Sequence, residues 1–243
     1  MTRIWTFLKS ASLALGLAQP VAAADATVAV AANFLTTAQA LVGAYEAETG
    51  HDLRLAHGST GRLYAQIVNG APFDVFLSAD AARPEALKVG GNAIAQKTYA
   101  VGELVLVART PGLYRPEDVL KGQRVAVANP AVAPYGEAAV EALAALGVFE
   151  KEFDLILGDS VGQAASFLAT GNTDVAFLAA SQLPMLDPGL TAFGLSGLYT
   201  PVRQDAVLMA RGDANPAARG FFEWLGSAPA QEIIRLSGYS VPE

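Results

Sequence analysis

His57-Gly58-Ser59-Thr60-Gly61 lies between an alternating run at 52–56, which predicts a strand, and a run at 62–69, which predicts a helix. A Ser or Thr at a helix entrance caps it with its hydroxyl, while the other first-turn N–H groups and the positive end of the dipole face outward. Such a junction suits a bound oxyanion. Alone, a Gly-Ser-Thr-Gly loop is ordinary turn chemistry. Its weight comes from repetition, because the strand, loop and helix unit recurs three more times along the chain.

Upstream, residues 26–32 predict a strand ending at Asn33, followed by a helix over 38–49 with Leu41, Val42 and Tyr45 on one face and Gly50 as its stop. Downstream, 74–78 reads as a buried strand, and 79–89 as a helix that begins or bends around Pro84. Residues 99–109 read as one long strand, after which the pattern restarts at Thr110-Pro111-Gly112. The third unit is strand 124–128, the loop Asn129 to Gly136 and helix 137–146; the fourth is strand 155–157, the loop Gly158-Asp159-Ser160 and helix 161–170. A buried strand at 174–179 and a second long strand at 202–211 follow, then a helix started by Asn215-Pro216 and a last helix over 229–236.

Strands alternating with helices predict an α/β protein with parallel-rich sheets and flanking helices. Two long segments bracketing a middle block predict two lobes: lobe I over 25–103 plus 204–243, and lobe II over 104–203. Ligands of open α/β sheets sit beyond the carboxyl ends of the strands. All four loops occupy such positions, so they are expected to converge on one cleft.

Composition narrows the function. The chain has 243 residues, 52% hydrophobic and 16% charged, which suffices for a large core. Residues 1–24 carry Arg3, Lys9, a short apolar run at 10–17 and Val21-Ala22-Ala23-Ala24, the pattern of a cleavable signal peptide. The apolar run falls short of the ~20 residues a membrane-spanning helix needs. The absence of cysteine excludes thiol catalysis, cysteine metal sites and disulfides. Removing the leader takes away two of the 16 cations and none of the 23 acids, so the formal charge moves from −7 to −9. That sign disfavours nucleic acid and anionic membranes as partners. An anionic ligand would have to be captured by local dipoles against the overall field.

From residue 26 to the end, the chain resembles the periplasmic molybdate-binding proteins of molybdate ABC transporters, a branch of the two-lobed type II solute-binding proteins. The resemblance is carried by Val-Ala-Ala-Asn-Phe-Leu at 30–35 and the stretch from Gly58 to Asp80, with Asn-Pro-Ala-Val-Ala-Pro-Tyr-Gly at 129–136 and Asp-Ser-Val-Gly-Gln-Ala at 159–164. It implies a periplasmic protein without a cofactor, a monomer that captures molybdate, and by extension tungstate, and delivers it to a membrane permease. The metal arrives as its oxyanion, held by neutral donors with no side chain coordinating it. Matched motif by motif, the ligand shell is Asn33 with Ala32 beside it, Thr60, the N–H of Tyr135 and the N–H of Val161. Ala32 lacks a hydroxyl that some relatives carry there. Ala179 stands where some carry a tyrosine, a group Tyr135 is then expected to supply.

Other readings stay open at this point. Singly, Asn33 reads as a turn residue, Thr60 as a cap, Tyr135 as a surface aromatic and Val161 as a core residue. His51, His57 and the acidic group Glu150, Glu152 and Asp154 read as surface positions. Arg62 brings a charge near the cleft, and Asp159 is the one carboxylate in the loops able to accept a proton from hydrogen phosphate. Sulfate and phosphate therefore remain alternative ligands. Gly158-Asp159-Ser160-Val161-Gly162 fits the nucleophile elbow of a serine hydrolase, but no histidine follows it, as that chain order requires.

Overall fold

The computed structural model describes residues 26–109, 112 and 115–242, apart from the side chain of Glu150. The expected leader at 1–24 and the Thr110-Pro111 part of the expected turn lie outside the described residues. The chain starts with β1 (Ala26–Ala31), a 3-10 turn at Ala32–Phe34 and α1 (Leu35–Thr49), then β2 (Leu53–Gly58) and α2 (Thr60–Val68). Next come β3 (Val75–Leu77), α3 (Ala82–Val89), β4 (Ala93–Gly102) and β5 (Leu104–Ala108). The middle block holds α4 (Pro116–Leu120), β6 (Arg124–Ala128), α5 (Pro134–Leu146), β7 (Asp154–Gly158), α6 (Val161–Ala169), β8 (Val175–Ala179) and β9 (Thr191–Gly194). The chain closes with β10 (Val202–Met209), α7 (Pro216–Trp224) and α8 (Ala228–Leu236).

Two five-stranded sheets result, in the orders β2-β1-β3-β10-β4 and β7-β6-β8-β5-β9. Strands joined through helices pair in parallel, as alternation predicts: β1 with β2 and β3, and β6 with β7 and β8. The segments that run between the sheets pair antiparallel, so both sheets are mixed. This is the two-sheet α/β architecture that the family resemblance implies.

The run at 99–109 is a correction. It is two strands of different sheets, broken at Glu103. At Gly102 a Cβ would stand 2.0 Å from the Tyr135 hydroxyl and 2.6 Å from Gln204 Nε2, so β4 ends where another side chain needs its space. β4 also begins at Ala93, earlier than expected, while β10 ends at Met209 and gives way to a 3-10 turn. α4 and β9, both short, carry no pattern strong enough to anticipate.

The core follows the pleat. Val28 and Val30 of β1 face Leu41, Phe221 and Ile234 of α1, α7 and α8, while Ala29 faces Leu63 of α2 and Leu87 of α3. The second sheet packs on Ala139 and Ala142 of α5 and Ala164 and Leu168 of α6. Among the described residues, no helix is long and apolar enough to cross a membrane.

Candidate oxyanion site

The opening motif folds one position away from its simplest reading. His57 and Gly58 finish β2, Ser59 is the N-cap of α2 in extended geometry (φ −66°, ψ 147°), and Thr60 is the first helical residue. Neither hydroxyl caps the helix in the usual way. Thr60 Oγ1 instead accepts the buried N–H of Ala79 at 3.0 Å, tying α2 to the end of β3. Ser59 is 4% exposed, and its Oγ is buried without a hydrogen-bond partner.

The other three loops also end in helix starts. Asn33 lies in the 3-10 turn after β1. Pro134 takes the first position of α5, three residues before the expected start at Glu137, where its missing N–H costs nothing, so Tyr135 lies in the first turn. Val161 opens α6 behind Ser160, whose Oγ accepts the Gln163 N–H at 3.3 Å.

Ala32, Asn33, Thr60, Tyr135 and Val161 all line one small cavity, together with Ser59 and Ser160. The cavity is small, with room for about one water-sized guest in this conformation. The starts of three α-helices and the 3-10 turn meet at this cavity, and the first N–H groups of a helix have no preceding turn to accept from them. No lining residue carries a charge at neutral pH. The electrostatics are those of dipoles and donors, which favour a small anion.

Behind the cavity stands a buried, neutral network that local sequence reading missed. Asn33 Nδ2 donates to Gln204 Oε1 at 2.9 Å and to the Tyr239 hydroxyl at 3.1 Å, and Tyr239 donates to the Asn33 carbonyl at 2.8 Å. Tyr99 donates to Gln204 Oε1 at 3.1 Å, and Ser181 Oγ lies 2.8 Å from the Tyr239 hydroxyl. The Asn33 amide thus anchors its turn, leaving backbone N–H groups to the cavity. The Tyr135 hydroxyl lies 3.4 Å from Gln204 Nε2 and joins the same network. Burial pushes the Tyr99 and Tyr135 hydroxyls well above the usual tyrosine range and that of Tyr239 up to about 12.

Arg62 and Asp159 resolve together. They pair with each other at 2.6 Å, both half-exposed, and neither lines the cavity. His57 and Ser160 border a neighbouring groove of about 570 Å³. Among the described residues no hydrogen bond links them, and Ser160 Oγ is occupied as a cap, so the elbow motif has no assembled base. Nor do the described residues hold a group of three or more His, Asp or Glu side chains suited to a metal ion.

A profile of the bacterial extracellular solute-binding protein family matches residues 26–240. The molybdate-binding protein ModA of Rhodobacter capsulatus is 44% identical over 236 residues, covering 94% of this chain and 93% of its own. That of Azotobacter vinelandii is 43% identical, with 93% of each chain covered. The solved periplasmic molybdate-binding protein of Azotobacter vinelandii superposes with a TM-score of 0.83 at 36% identity, over 90% of this chain and 100% of that one. Binding proteins of this kind capture a solute and do not turn it over, and the chain belongs to the bacterial extracellular solute-binding protein family.

Proposed function

We propose that the chain captures molybdate, and equally tungstate, in the cavity between the two sheets and delivers it to the permease of an ABC importer. The observation that carries this reading is a small cavity faced by the N-terminal turns of three helices and a 3-10 turn, with no charged side chain in its lining. Hydrogen bonds to a charged group contribute about 1.5–3 kcal/mol each. Several together offset the desolvation of a dianion.

Asn33, Ala32, Tyr135 and Val161 give backbone N–H groups in this scheme. Thr60 Oγ1 already accepts from Ala79, which leaves its own proton free to donate to the ligand. A donor-only site suits a fully ionised dianion. Monohydrogen phosphate needs an acceptor, and the one carboxylate in the loops, Asp159, is engaged by Arg62 outside the cavity.

The first lobe (25–103 and 204–243) holds the anion in the open form, and closure onto the second lobe (104–203) completes the shell. The chain acts as a monomer in the periplasm after loss of its leader. Titration calorimetry with molybdate, tungstate, sulfate and phosphate tests the reading. Molybdate and tungstate are expected to bind far more tightly than the other two, and a preference for sulfate or phosphate would overturn the assignment.

A further inference from the structure

We propose that Ser59 is a specificity-determining donor of this site, its hydroxyl reaching the bound oxyanion in addition to the groups on Thr60. The inference rests on the oxyanion reading above and deepens it. An N-cap serine ordinarily turns its oxygen onto the N–H of the second or third helical residue, and its loss then destabilises the helix. Ser59 occupies the N-cap of α2 with suitable backbone geometry and yet makes no such bond.

Its Oγ is instead buried and without a partner, in a residue only 4% exposed that borders the cavity. A buried hydroxyl left unpaired costs its full desolvation. Ser160, the equivalent N-cap of α6, provides the contrast: it borders the same cavity, and its oxygen does take the Gln163 N–H. Two capping serines thus face one cavity, and only the one beside Thr60 withholds its oxygen from its helix. A guest oxygen supplies the missing partner. Because a hydroxyl rotates freely, this donor can follow a ligand oxygen as the cavity closes, which the fixed N–H groups cannot do.

A capping role and a ligand role predict opposite behaviour for Ser59→Ala. As a ligand donor, Ser59→Ala weakens molybdate binding about tenfold or more by calorimetry, the loss expected for one hydrogen bond to a charged group, while the Tm of the ligand-free variant stays at or above the wild-type value. Molybdate affinity within twofold of wild type overturns the proposal, as does a Tm several degrees lower without ligand, which would show the hydroxyl capping α2. Wild-type protein titrated in parallel separates the two claims. If wild type itself fails to bind molybdate, the oxyanion reading falls first; if wild type binds and Ser59→Ala binds equally, only the role of Ser59 falls.

Discussion

Thr60 is where the fold and the proposed site meet. Its oxygen accepts the buried Ala79 N–H, and in the proposed scheme its proton goes to the ligand. Thr60→Ala removes both at once. The stranded Ala79 N–H costs about 1–3 kcal/mol, so a lower Tm without ligand is expected together with weaker molybdate binding. Thr60→Ser keeps the oxygen and is expected to stay close to wild type in both. Thermal unfolding and calorimetry on the two variants check this, and a fully stable Thr60→Ala would mean the Ala79 contact carries no weight. At this scale Asn33, Thr60 and Val161 come into view only through the family resemblance of their motifs, since singly each reads as a turn, cap or core residue. The sequence is silent about Ser59, because the division of labour between adjacent hydroxyls depends on whether the strand ends at Ala56 or Gly58. Helix and strand ends are the least legible features of any chain. Gln204 and Tyr239 were invisible for another reason: they reach Asn33 from 171 and 206 residues away, and no local pattern encodes that contact.

Among elements, the helix starts are what converge. α2 and the loop before α5 meet at the seam, where the Gly61 N–H donates to the Val132 carbonyl at 2.8 Å. A Cβ on Gly61 would stand 2.9 Å from Val132 Cα, a backbone atom that cannot rotate away. Gly61→Ala should therefore hold the two sides apart. In a helix, alanine is intrinsically favoured over glycine by up to about 1 kcal/mol, so the fold itself loses little. The expected result is a ligand-free Tm within a few degrees of wild type, with molybdate affinity at least tenfold weaker; unchanged affinity would mean the seam yields without cost. Repetition of the strand, loop and helix unit made these elements legible, since each repeat supplies its own hydrophobic period and stop residue. The run at 99–109 misled because two buried strands in succession look like one long strand. Only the fit of Gly102 against Tyr135, a residue of another element, marks the break.

For the whole molecule, two lobes were legible because long segments cross the chain twice, whereas antiparallel pairing at those crossings was not, since period-2 patterning is the same in either direction. The larger consequence is electrostatic. In the proposed scheme a chain of net charge −7, or −9 without the expected leader, captures an anion with no full positive charge in the cavity lining, so the proposed donors are groups that do not titrate. Tyr135 is the one lining residue with an ionisable side chain, and burial holds its hydroxyl well above the usual range, so it stays neutral. Linkage then gives the sign and size of the pH effect. Binding shifts with pH only if protons are taken up or released on binding, and a site of backbone N–H groups and neutral hydroxyls does neither. The molybdate Kd is accordingly expected to be flat between about pH 7.5 and 9, a range in which ordinary carboxylates and histidines have largely lost their protons. Calorimetry in buffers of different ionisation enthalpy measures proton exchange directly and should find none. A tenfold change in Kd per pH unit would reveal a titrating group in contact with the ligand, and the donor-only description of the cavity would have to be abandoned.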